Sequence, residues 1–160
     1  MVEISAHYNS QCQPRSQKRA IVPARDIYYQ VVKQTLIKAG WTITHAPFSL
    51  DWANRNLSID LGAEQLLAAE NNDHKIAVEV KSFIGESRIA DLEQALGQYT
   101  LYYDILKRTE SERQLYLAIP LNAFTELFEE EFFGQILLDN NCLNLVVFYP
   151  KIEEIVQWIA

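Results

Sequence analysis

The stretch Ala77-Val78-Glu79-Val80-Lys81 is the best placed in the chain to do chemistry. Side chains alternate along an extended strand, so Glu79 and Lys81 share one face while Val78 and Val80 point to the other. The flanks are apolar enough for a central strand, where a charge is costly unless it is paired or metal-bound. Alone, a Glu-x-Lys pair can simply neutralise itself on a half-exposed face. A second acid changes the reading. Asp60 stands in Ser58-Ile59-Asp60-Leu61, at the end of another expected strand with a hairpin-like connection to the first. Two carboxylates brought together make a site for Mg²⁺ or Mn²⁺, hard cations held by a few carboxylate oxygens plus water and phosphate. Asp60, Glu79 and the Val80 carbonyl would be the ligands. A lysine beside them can orient or deprotonate a water, or stabilise the charge that develops on phosphorus.

An acid followed by Glu-x-Lys on a neighbouring strand is the layout of the PD-(D/E)xK nucleases. Glu64 has the same parity as Asp60 and also precedes an expected strand, so it is the alternative first acid or a second one. Gln94, Gln98 and Tyr102 recur at i, i+4 and i+8 on the next helix and form a polar line along it. Gln98 and Tyr102 match the Gln-x-x-x-Tyr that faces the site in many of these nucleases, with Gln98 expected to position the water. The same line is equally an ordinary amphipathic surface. Asp26 sits where these nucleases often carry a glutamate that contacts a metal-bound water, and also where an acid suits a helix dipole.

The elements that must position these residues follow from patterning. Tyr28, Val31, Val32, Leu36 and Ala39 have helical spacing, and Gly40 stops the helix. Extended pieces are expected over Trp41–His45, Leu57–Leu61 and Gln65–Glu70, with a turn at Asn71-Asn72-Asp73 and the clearest strand over Lys75–Phe83. Ile89, Leu92, Leu96, Tyr99, Tyr103 and Leu106 mark a helix over Arg88–Arg108. A strand over Gln114–Ile119, a helix over Asn122–Asp139 broken near Gly134, a strand over Leu143–Tyr149 and a short amphipathic tail over Ile152–Ile159 complete the chain. This order is α/β, an αβββαβ core with a mixed central sheet flanked by helices. Residues 1–22 read as a poorly ordered N-terminal extension, and 23–160 as one nuclease-like domain.

Composition sets the limits. The 160 residues suit one domain with a real core. No apolar run reaches the length of a membrane span and no secretory leader is visible, so no membrane partner is expected. Cys12 and Cys142 lie far apart, which points to a reducing, cytoplasmic setting without a disulfide framework. No phosphate-binding glycine loop occurs. His7, His45 and His74 have no metal-ligand spacing. The run Glu129-Glu130-Glu131, among Phe128, Phe132 and Phe133, reads as a solvated face beside a buried one, or as a docking surface for a partner. The net charge is −7, against the basic excess usual in proteins held by nucleic-acid phosphates. The acidity is concentrated: residues 109–160 carry two bases against nine acids. DNA therefore remains the expected substrate, with weak unaided binding and a partner supplying much of the phosphate contact.

Five blocks resemble the XisH family, the cyanobacterial fdxN-element excision controlling factors. They are Pro23-Ala24-Arg25-Asp26, Ala39 to His45, Ile59 to Glu64, Ile76 to Phe83 and Ala95 to Tyr99. The resemblance runs from about Pro23 to the C-terminus and implies the restriction-endonuclease-like fold. It implies action with a XisI partner in a DNA rearrangement of heterocyst differentiation, either as a metal-dependent endonuclease or as a non-catalytic adaptor of nuclease fold. A homo-oligomer is compatible with it. The implied site residues are Asp60, Glu79 and Lys81, then Gln98, Glu64 and Asp26. Relatives tend to start near the Pro23 block, often carry His at the position of Tyr29, and have Asp-Pro in place of Ala46-Pro47.

Overall fold

The structure is a computed structural model that describes residues 26–67, 72–140 and 143–160. The expected extension over 1–22, the first three residues of the Pro23 block, His7 and both cysteines lie outside the described residues.

Helix α1 spans Tyr29–Lys38 and buries Tyr29, Val32, Thr35 and Leu36, one face at helical spacing. Asp26 lies ahead of the helix and not in its first turn, and accepts the Tyr28 N–H at 2.9 Å. Gly40, at φ +92°, ends it in a conformation that side-chain-bearing residues avoid.

The strands are β1 (Thr42–His45), β2 (Phe48–Trp52), β3 (Arg55–Ile59), β4 (Leu61–Leu67), β5 (Asn72–Val80), β6 (Arg113–Pro120), β7 (Leu145–Tyr149) and β8 (Glu154–Ile159). Six of them form a sheet in the order β1-β4-β5-β6-β7-β8. The β1/β4, β4/β5 and β7/β8 pairs are antiparallel, and β5/β6/β7 are parallel. Helix α2 (Arg88–Thr109) makes the crossover from β5 to β6. Strands β2 and β3 form a separate hairpin inserted between β1 and β4. Without that hairpin the order reads α1-β1-β4-β5-α2-β6, the expected αβββαβ with a mixed sheet.

Several boundaries differ from expectation. The stretch Leu57–Leu61 is not one strand: β3 ends at Ile59, β4 begins at Leu61, and Asp60 is the break between them. Phe48–Trp52 is an additional strand, closed by Ala53 and Asn54 at φ 49° and 61°, the primed-turn geometry that matches strand twist. Strand β5 begins at Asn72, within the expected turn, and residues 68–71 lie outside the described residues. The tail is strand β8, on the sheet edge. The expected helix over Asn122–Asp139 divides into α3 (Leu121–Phe124), a π-helical stretch over Thr125–Glu130, and α4 (Gln135–Asp139). The break holds Gly134 because a Cβ there would run into the Phe128 ring.

Alternation sorts the core onto two faces. Ala77, Leu117, Ile119 and Val147 pack under α2 with Leu92, Tyr99 and Phe128. Val78, Val80, Ala118 and Phe148 pack under α1 with Val32 and Leu36. Fully burying each large side chain contributes about 1.5–3 kcal/mol. Arg113 clips the layers together although it is 4% exposed. It reaches Glu110 at 2.8 Å, Glu64 at 3.3 Å and the Ile76 carbonyl at 2.9 Å, and its guanidinium lies 4.6 Å from the Phe48 ring centre. Among the described residues no helix is long and apolar enough to cross a membrane.

Candidate active site

Glu79 has the parity of Ala77 and therefore faces α2, near the carboxyl end of β5. Leu61 pairs with Val78, so the antiparallel ladder brings Asp60 level with Glu79 as β4 begins. The Asp60 N–H donates to Glu79 Oε2 at 3.3 Å, and the Val80 N–H donates to Asp60 Oδ2 at 2.8 Å. Within a strand, the N–H and C=O of one residue point to the same side. The Val80 carbonyl therefore lies on the Asp60 side of β5. The Lys81 N–H continues to β6, donating to the Ala118 carbonyl at 3.1 Å.

The carboxyl of Glu79 is pushed up to about 8. Burial is the main cause, followed by the Asp60 charge and, less strongly, that of Asp26; the Asp60 N–H and the Lys81 charge oppose the shift. Ionising Glu79 adds a second negative charge near that of Asp60, which a proton or a cation would offset.

Lys81 Nζ donates to Gln94 Oε1 at 2.9 Å. Gln94 is therefore the member of the polar line that meets the lysine, one turn before Gln98. Tyr102, at the other end of the line, has its phenol pushed up to about 12 by burial and by the negative charges of Glu79 and Asp60. Gln98 lies between these two on the same face of α2 and is half-buried. The loop into α2 is fixed locally. Ser87 Oγ caps the helix by accepting the Ala90 N–H at 3.2 Å, and Asp91 accepts the Gly85 N–H at 2.9 Å.

Asp26 reaches the edge of the site. Its carboxylate accepts the N–H groups of Tyr28 and of Ser82, the latter at 2.8 Å, joining the start of α1 to the chain just past Lys81. Glu64 is not gathered in. It lies further along β4, opposite Lys75, and is held by Arg113. Of the two candidate first acids, Asp60 is the one beside Glu79.

Among the described residues no group of three or more His, Cys, Asp or Glu side chains is placed to hold a metal. The donor set at this site is two carboxylates and a backbone carbonyl. That oxygen-only set fits Mg²⁺ or Mn²⁺, which keep several waters, and does not fit a tetrahedral zinc site. Elsewhere, Phe128 is buried against Phe124, Glu129 to Glu131 are exposed, and Phe132 and Phe133 stand out in solvent. The importance of Gln94 was signalled by its place four residues before Gln98. Arg113 carries no such signal, because an arginine at a strand start reads as surface.

The fold and this cluster define a mixed α/β protein with a dicarboxylate–lysine site at the carboxyl end of a parallel strand. The family model for XisH protein matches residues 22–156, and the chain belongs to the XisH family. A crystal structure of an XisH family protein from Nostoc punctiforme is 38% identical, with a TM-score of 0.74 over 84% of this chain and 100% of that one. A crystal structure of a fdxN element excision controlling factor protein from Anabaena variabilis is 37% identical, with a TM-score of 0.74 over 85% and 100%. No curated protein matches the chain.

Proposed function

We propose that the chain is a Mg²⁺- or Mn²⁺-dependent phosphodiesterase of endonuclease type, acting on DNA in the controlled excision of a DNA element. The supporting observation is the crossed pair Asp60–Glu79 with Lys81 one strand position beyond, held by Gln94. Membership of the XisH family and the likeness to an excision controlling factor support the DNA element as the context. The disulfide-poor composition supports a cytoplasmic setting.

The cation would be held by Asp60, Glu79 and the Val80 carbonyl. When bound, it would lower the pKa of a water and offset charge on the phosphate. The remaining work falls to side chains. Glu79 gives up its proton so that both carboxylates are available as ligands. Lys81, kept at the site by Gln94, presents an ammonium to the phosphate oxygens and stabilises their growing negative charge. Gln98 and Tyr102 line the wall toward α2 and orient groups that enter.

Purified protein with Mg²⁺ or Mn²⁺ is expected to nick or cut duplex, single-stranded or branched DNA, alone or with a XisI-like partner. Lys81→Ala is expected to abolish cleavage. If no substrate is cut in any combination, or if Glu79→Gln supports normal excision, the chain is instead an adaptor that acts through its partner.

A further inference from the structure

A cavity of about 240 Å³ opens on the α1 side of the sheet, lined by Trp41, His74, Ile76, Gln114, Tyr116 and Trp158. It faces away from Glu79 and Lys81: His74 and Ile76 share the parity of Val78, so they point to the other side of β5. Four of the six lining residues are aromatic, and their rings form an arc. The Trp41 ring lies 6.5 Å from that of His74 and within 9° of parallel to it. The Trp158 ring is 5.7 Å from Trp41 and meets Tyr116 edge-on at 4.9 Å. Trp41 is buried and fixed, while Trp158 is 37% exposed and His74 is also exposed. Large ring surfaces are thus presented at the mouth of a concave site.

We infer that this cavity binds a planar, neutral heteroaromatic ring of the nucleobase class. The rings offer π faces on which any base can stack. Gln114 supplies an edge contact. Its Oε1 accepts the Tyr116 hydroxyl at 3.2 Å, which leaves the amide NH₂ as a donor for a ring nitrogen or carbonyl. Aromatic boxes also attract cations, but among the described residues no aspartate or glutamate lines this one to replace lost hydration. Among the described residues no lysine or arginine lines it either, so it offers an anionic group no partner. The volume falls below the usual range for drug-sized ligands and suits one ring system, with any sugar and phosphate left in solvent. The base can come from a free nucleoside or nucleotide, or from a single strand of nucleic acid. This site is independent of the dicarboxylate site, and Glu79→Gln leaves it unchanged.

Two of the three tryptophans line the cavity, so the Trp52→Phe protein reports on it through intrinsic fluorescence. The probes are adenosine, AMP, a deoxyadenosine 12-mer and an abasic strand of equal length. Saturable quenching by adenosine and AMP assigns the free-nucleotide source. Quenching by the 12-mer, but by neither the abasic strand nor the mononucleotides, assigns the strand source. Both support the inference. His74→Ala and Gln114→Leu keep both reporters and are expected to weaken binding several-fold, with folding checked by circular dichroism. The inference is overturned if no probe gives saturable quenching at millimolar concentration, or if the abasic strand quenches as well as the 12-mer. Quenching unchanged in both folded variants overturns it too.

Discussion

Asp60 and Glu79 are joined by crossed hydrogen bonds. The Asp60 N–H donates to the Glu79 carboxylate, and the Asp60 carboxylate takes the N–H of Val80, the residue after Glu79. Each acid is therefore held by the backbone of the other's strand. Breaking the strand at Asp60 frees its side chain to do this. Were β3 and β4 one continuous strand along β5, the Val80 N–H would be used in backbone pairing instead.

This contact sets a pH dependence. The Glu79 carboxyl is raised to about 8 in the folded protein, against 4.5 ordinarily. Between those values the native state holds a proton that the unfolded chain has released, so stability falls as pH rises through the window. The stabilisation is fully present below pH 4.5 and lost above about 8. Its size is of order a few kcal/mol. Metal-free wild type should lose thermal stability from pH 5 to pH 9, and Glu79→Gln should lose distinctly less. Added Mg²⁺ should raise the wild-type melting temperature more at pH 9 than at pH 6. Parallel wild-type and Glu79→Gln curves would refute the assignment.

Much of this site is legible in the sequence, for physical reasons. The short apolar run around Glu79 and Lys81 forces them onto one face by alternation, and no other segment carries two charges so enclosed. Ile59 and Leu61 mark Asp60 as interior, but their symmetry hides the strand break between them. Glu64 shares the parity of Asp60, and only the partner Arg113, distant in sequence, separates their fates. The strand character of β8 is not legible. Its Val156 and Trp158 are substantially exposed at the sheet edge, so no inside-outside pattern marks the period. Strand β2 buries only Phe48 and Leu50, too little to show against its polar neighbours.

Asp26 joins two parts of the chain. Its carboxylate satisfies the Tyr28 and Ser82 N–H groups at once. Asp26→Ala leaves both donors without that acceptor and should cost about 1–3 kcal/mol in urea denaturation. Asp26→Asn keeps one acceptor oxygen and should cost less. Equal stability of all three proteins would show that solvent replaces the carboxylate freely.

Arg113 ties the end of α2 to β4 and β5 with one guanidinium. Removing it leaves the Ile76 carbonyl without its donor and strips Glu64 and Glu110 of their shared cation. Arg113→Ala should destabilise the fold by roughly 1–3 kcal/mol, mainly through the unsatisfied Ile76 carbonyl, because Glu64 and Glu110 remain partly in water. Arg113→Lys should recover only part of this, since an ammonium cannot span three acceptors with a planar fork. The check is the denaturation midpoint of both variants; full recovery by lysine would reduce the role of Arg113 to charge alone.

Gln94 and Gln98 are separable in their effect on catalysis. The Lys81 ammonium is held by Gln94 at 2.9 Å, whereas Gln98 is one turn further along α2 toward Tyr102. If the lysine acts on the phosphate, its position matters more than its presence alone, because a small misplacement of a reacting group is costly. Gln94→Ala should therefore lower DNA cleavage about tenfold or more at saturating Mg²⁺, with thermal stability nearly unchanged at this exposed position. Gln94→Glu should retain the lysine contact as an ion pair while drawing the ammonium away from phosphate, so it should not rescue activity. Gln98→Ala should act mainly on substrate affinity. Loss of turnover in Gln98→Ala with Gln94→Ala unaffected would return the positioning role to Gln98.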